Sequence, residues 1–150
     1  MTEDARFEDG AARPLQLSAI SAEDLAILSS LVQDAVFPAN EMTFKRPARR
    51  FAMLINRFRW EEKSAPPERV QAVLSFENVT GVQTSGVTRG DSDTVLSLLS
   101  VTLEDDGDRV ILTLAGDGAI ALDCSALEVS LRDVTQPYRA VSGKAPHHPD

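Results

Sequence analysis

The densest reactive chemistry in the chain lies between Lys45 and Lys63. Lys45, Arg46, Arg49, Arg50, Arg57, Arg59 and Lys63 stand there against only Glu61 and Glu62, a net charge of +5. Phe44, Phe51, Phe58 and Trp60 lie in or beside this window, half of the eight aromatic residues. Cationic side chains neutralise anions and aromatic faces stack on bases, so this mixture holds the ingredients of an anion or single-stranded nucleic-acid site. A core strand with solvated arginines produces the same pattern. Phe51 to Ile55 is apolar at every position, which predicts a central strand covered on both sides. Beyond Asn56 one parity becomes Arg57 and Arg59 while the other stays Phe58 and Trp60, so one face is expected to emerge into solvent. The candidate binding residues are therefore Arg46, Arg49, Arg57, Arg59 and Trp60.

Elsewhere the ingredients of catalysis are sparse. Cys124 is the sole cysteine and ends the alternating run Ile120, Leu122, Cys124, the place of a small buried hydrophobe. A cysteine nucleophile needs a positioned base, and the two histidines, His147 and His148, lie between prolines near the end of the chain. An EF-hand reading of Glu104 to Asp108, with Gly107 in the glycine position, requires an acid at 102 and a glutamate at 113, and both are threonine. Arg89-Gly90-Asp91 reads as a turn. No phosphate loop, nucleophile elbow or HExxH is present. No catalytic residue, metal set or cofactor is expected. An enzyme would have to rest on carboxylates.

The whole chain has 150 residues, 43% of them hydrophobic, and a net charge of −8. This suffices for one core and is too short for two typical domains. No apolar stretch approaches the roughly 20 residues of a membrane span, and the acidic start lacks the features of a signal peptide. A soluble cytoplasmic domain is expected. Outside the basic window, eight basic residues face 21 acidic ones, so the acidic average hides a segregated charge. Such a chain is repelled by bulk nucleic acid and anionic lipid, which leaves nucleic acid a disfavoured partner.

The elements that must position the arginines follow from periodicity. Residues 1–14 read as a disordered lead-in, 15–138 as one domain and 139–150 as a tail, with fraying signals from Gln136 onward. Leu15 and Leu17 begin an edge strand. Ser21 caps a helix expected over about 22 to 35, with Glu23 and Asp24 in its first turn and Leu25, Leu28, Leu31, Val32 and Ala35 on one face. Then the period becomes two. Met42 to Phe44, Arg50 to Trp60, Val70 to Phe76, Val79 to Val82, Leu99 to Leu103, Val110 to Leu114, Ala119 to Cys124 and Leu127 to Leu131 read as strands. A helical turn is anticipated at Thr94 to Leu98, and a polar loop at Thr84 to Asp93. Asp106-Gly107 and Gly116-Asp117-Gly118 mark tight hairpins. The fold class is α+β, a β-rich single domain of antiparallel strands with one N-terminal amphipathic helix.

Setting Thr43 on Thr102 aligns Met42-Thr43-Phe44 with Val101-Thr102-Leu103 and Arg50 to Met53 with Arg109 to Leu112; a short deletion sets Leu74 to Thr80 on Val129 to Thr135. This describes two pseudo-repeated hairpin-plus-strand units. Identities are few, and amphipathic strands resemble each other by construction. The turn of the first unit, Lys45 to Arg50, carries four positive charges, and that of the second, Glu104 to Arg109, is −3. Opposed patches of this kind steer association.

Leu17 to Arg59, with the blocks Ser21-Ala22-Glu23-Asp24-Leu25, Leu31 to Val36 and Arg50 to Glu61, resembles the uncharacterised bacterial domain-of-unknown-function family 2948. Leu96 to Leu99 and Ala126 to Asp133 look like its later blocks. The resemblance covers about residues 15–138 and implies no activity, because that family has none assigned. The expected function is a non-enzymatic binding or scaffold module that self-associates or takes another protein partner. Anion or nucleic-acid binding through 45–63 is the first alternative, and an enzyme with a carboxylate site the second.

Overall fold

The computed structural model describes residues 14–62, 68–87, 94–104 and 107–139. The elements run β1 (Gln16–Ala19), α1 (Ala22–Leu31), β2 (Val36–Pro38), a 3-10 turn (Ala39–Glu41), β3 (Met42–Lys45), β4 (Arg50–Phe58), β5 (Glu68–Phe76), β6 (Val79–Ser85), β7 (Val95–Leu103), β8 (Arg109–Leu114), β9 (Ala119–Cys124), β10 (Val129–Asp133) and β11 (Tyr138–Arg139). This is the β-rich α+β domain that the alternation predicts, with antiparallel strand pairs and a single α-helix among the described residues. None of these residues forms a helix long and apolar enough to cross a membrane. The lead-in through residue 13, the loop 63–67, Asp105-Asp106, Arg89-Gly90-Asp91 and the His147-His148 pair lie outside the described residues.

Helix α1 starts as its sequence dictates. The Ser21 hydroxyl accepts a hydrogen bond from the Asp24 amide, and Leu25 and Leu28 are buried. It ends at Leu31 rather than near 35. Asp34 takes a left-handed conformation (φ 66°), its amide donates to Leu98 O, and Leu98 N donates to Ala35 O. Pairing with β7 has captured residues that helical periodicity alone assigns to the helix. The same contact overrules the helical turn at 94–98, because Val95 to Ser97 pair with Pro38 to Val36 as part of β7. Of the stretch expected to fray from Gln136 onward, Tyr138–Arg139 instead adds a short strand against Arg69 and Glu68 of β5, and the rest of the expected tail, 140–150, lies outside the described residues.

The hydrogen-bonded order is β1-β10-β5-β4-β2-β7-β8-β9-β6, with β11 on β5 and β3 on β4. Strand β5 runs into β6 through a bend at Asn78 (φ 59°), and β9 runs into β10 beside it. Ser125 N donates to Asn78 O and Glu77 N to Glu128 O across that bend. The bent pair brings both halves of the sheet around one core, in which Leu28, Phe51, Leu74, Leu98, Leu112 and Ile120 are 0–1% exposed. Phe51, Met53 and Ile55 point into it, while Ala52 and Leu54 are only half-buried. The expectation of cover on both faces of β4 is therefore corrected: among the described residues no second layer lies on the outer face, where half-buried small or aliphatic side chains stand beside neighbours such as Val73 opposite Leu54.

Strand pairing gives the repeat a definite form. Thr43 pairs with Ala52 as Thr102 pairs with Ile111, and Met42 with Met53 as Val101 with Leu112, so the first two aligned blocks coincide in register. The third block does not. Leu74 to Phe76 pair directly with Leu131 to Val129, so these strands are partners rather than counterparts. By pairing, β5 corresponds to β9 and β6 to β10: β5 lies between β4 and β10, and β9 between β8 and β6.

Candidate binding surface

The β3–β4 turn is closed by Arg49 N donating to Arg46 O at 3.0 Å. Pro47 follows Arg46, where its fixed φ suits the turn. Arg49 then adopts φ 52°, a conformation that favours glycine, and its carbonyl accepts from Val79 N at 2.9 Å. Residues 45–50 are all exposed. The Arg46 guanidinium lies 5.1 Å from the centre of the Phe44 ring, a cation–π contact that holds it over the hairpin. Arg50 is engaged: its Nε donates to Glu77 at 2.8 Å, and this hydrogen bond and the Glu77 charge push its pKa up. Lys45, Arg46 and Arg49 form no ion pair among the described residues.

The other half of the predicted site turns inward. Arg57 is 0% exposed, contrary to the expected solvated face. Its five N–H groups are all engaged. Nε and Nη2 donate to the two carboxylate oxygens of Asp133 at 3.0 and 2.9 Å, Nη1 and Nη2 to those of Glu61 at 2.9 and 2.8 Å, and Nη1 to Phe58 O at 3.0 Å. Burial opposes the Arg57 charge, but its two carboxylate partners carry its pKa above the usual value. Burial likewise works against the Glu61 charge, and the Arg57 hydrogen bonds outweigh it, holding that carboxyl below its ordinary range. Asp133 also accepts from Leu15 N at 2.9 Å, so the cluster ties β4, β10 and the start of the domain together. Arg59, 5% exposed, pairs with Glu68 and Glu62, and its Nε has no partner among the described residues.

The aromatic part is engaged as well. Phe58 is 4% exposed, with the Arg69 guanidinium 3.8 Å from its ring centre. Trp60 is half-buried against Phe58, and its indole N–H donates to Gln33 O at 2.9 Å. Phe58 offers no free stacking face. The five predicted residues thus separate into an exposed pair, Arg46 and Arg49, and three side chains fixed in the scaffold, Arg57, Arg59 and Trp60. Lys45 joins the exposed group.

Two further features bear on chemistry. Burial pushes the Cys124 thiol up to about 11, helped by the Asp123 charge, which makes it a poor nucleophile at neutral pH. A shallow groove of about 300 Å³ on the outer face is lined by Val36, Pro38, Leu54 and Val95, with Glu41, Asn56 and Gln71 as its polar members. Among the described residues no cluster of three or more potential ligands is arranged to hold a metal ion.

No curated protein and no solved structure matches this chain. A family model described as "Protein of unknown function (DUF2948)" matches residues 15–148, nearly the whole sequence, and so takes in the helix, the sheet and the arginine-bearing hairpin together. The chain belongs to the DUF2948 family.

Proposed function

We propose that this protein is a non-enzymatic binding module of the cytoplasm that self-associates, and that its contact surface is the basic turn between β3 and β4. The observation that carries this reading is the separation among the cations. Among the described residues Arg50, Arg57, Arg59 and Arg109 are matched to carboxylates, whereas Lys45, Arg46 and Arg49 project into water together without one and Arg132 on β10 is exposed singly. Arginine rather than glycine stands at a left-handed position in this turn, a conformation that costs of order 1–3 kcal/mol, so its presence there is not accounted for by the stability of the turn. The rest of the chain supplies acidic surface, so a second copy is a complementary partner.

The carboxylate-based alternative gains no support from the two carboxylates on Arg57. Both are committed to it, and a depressed pKa at Glu61 is the reverse of what a general acid needs at neutral pH. Sedimentation across a salt series tests the proposal. The wild type should shift toward monomer as salt rises, and Arg46→Glu/Arg49→Glu should be monomeric at low salt. Sedimentation indifferent to both removes the reading. A mobility shift with single-stranded nucleic acid, abolished by the same substitutions, would instead favour the anion-binding alternative.

A further inference from the structure

The two halves of the sheet differ in one respect that their shared pairing makes visible. Strand β10 pairs with β5 on one side and is covered on the other by β1. Its counterpart β6 pairs with β9 on one side and, among the described residues, ends the sheet on the other. The geometry points to β6 as an acceptor for one further antiparallel strand, and we propose that the strand is β6 of a second copy. This inference rests on the self-association reading and gives it a mode.

The open groups can be assigned. Leu114 N donates to Gly118 O and Cys124 N to Asp108 O, so the even-numbered amides of β9 face β8 and the odd-numbered ones face β6. Gly81, Gln83 and Ser85 lie opposite Asp123, Ala121 and Ala119, which leaves the backbone N–H and C=O of Val82 and Thr84 pointing outward. At the start of the strand that edge is occupied, because Val79 N donates to Arg49 O. A two-fold axis at Gln83 sets Val82 of each copy opposite Thr84 of the other and satisfies all of these groups. The five residues Gly81–Ser85 then pair.

The guard on this free edge is a bulge between Val79 and Gly81, at the start of the strand and before the outward groups of Val82 and Thr84. Val79–Ser85 contains no proline and no charged residue. Two copies can lie side by side there without like-charge contact, although each chain carries −8. Charge also complements at the ends. The basic turn sits beside the start of β6, and the exposed Asp117 turn packs against Gly86 just past its end. Antiparallel pairing brings the Arg46–Arg49 turn of each copy toward the Asp117 turn of the other. The acidic turn at Glu104 lies two strands away, at the same end as the basic one, and stays outside this contact.

Gln83→Cys in a Cys124→Ala background tests the register. Residues facing each other in a non-hydrogen-bonded pair have Cα atoms about 4.5 Å apart, within the range of roughly 4.4–6.8 Å that a disulfide spans. Mild oxidation should give a covalent dimer with an unchanged circular dichroism spectrum. Thr84→Pro, which removes one outward amide, should sediment as a monomer. If the wild type dimerises, Thr84→Pro still dimerises, Gln83→Cys stays uncoupled and only Arg46→Glu/Arg49→Glu dissociates the dimer, β6 pairing is overturned and the basic-turn reading stands. A dimer lost in Thr84→Pro and indifferent to charge reversal overturns the basic turn and keeps the strand. A wild type monomeric under all conditions overturns both. Should Thr84→Pro fail to fold, the Gln83→Cys result decides.

Discussion

Arg57 is the residue on which the β4 end of the molecule depends. A guanidinium removed from water is tolerated only when its donors are met, and here Asp133, Glu61 and Phe58 O meet all five. Arg57→Met would leave Asp133, whose side chain is 2% exposed, as an unpaired buried charge. Urea denaturation should show a loss of about 3–5 kcal/mol. Arg57→Met/Asp133→Leu should recover much of it, because no lone charge remains. Glu61 adds a pH dependence. Its folded pKa lies below the unfolded one, so its stabilisation is present above the unfolded value of about 4.3 and is lost as pH falls through the lower folded value. Glu61→Gln should therefore be less stable than wild type at neutral pH. The two should converge in acid, as denaturation midpoints across a pH series would record.

At the scale of elements, the hairpins were legible from local chemistry. Pro47 and the Gly116-Asp117-Gly118 run mark bends, and Gly116 and Asp117 take φ of 81° and 69° as such a turn requires. Arg49 is the exception, since nothing in its residue type announces φ 52°. Arg49→Gly should raise stability by up to about 1 kcal/mol, because glycine accepts this conformation freely but loses more chain freedom on folding, which offsets part of the strain relieved. The same substitution should weaken self-association by removing one of the exposed cations. Opposite movements of the urea midpoint and the sedimentation profile would separate the turn's conformational cost from its surface role. The helix boundary was less legible. Val32 and Ala35 continue the apolar spacing of α1 and are buried, but the left-handed turn at Asp34 delivers Ala35 to β7 instead.

Within the eleven-stranded sheet lie two equivalent three-stranded units, β4-β5-β6 and β8-β9-β10, each giving its third strand to the other's second. Even their ion pairs correspond. Arg50 at the start of β4 holds Glu77 beyond β5, and Arg109 at the start of β8 holds Asp123 of β9, each at 2.8–2.9 Å. Exchange of third strands makes neither unit able to close its core alone. Leu74→Ala and Ile120→Ala, in equivalent strands and both 0% exposed, should each cost about 2–5 kcal/mol. Unfolding should remain a single transition by fluorescence and circular dichroism in both variants. Two separated transitions would show the halves to be independent.

The sequence by itself determined most of the strands, the Ser21 cap and the glycine- or proline-bearing bends, because alternation, Ser21 before an apolar stripe and such turns act over a few residues. It also showed that Arg46 and Arg49 sit on a turn, and turns project into water. It did not determine that Arg57 and Arg59 turn inward. Their alternation with Phe58 and Trp60 reads equally as a wet face, and the carboxylate that decides the matter, Asp133, lies 76 residues further along. Nor does alternation reveal which strand ends the sheet, since among the described residues only the order of neighbours covers β10 with β1 and leaves β6 uncovered. Burial of a charge and exposure of an edge both depend on which distant strands arrive, and that is settled only when the chain closes on itself.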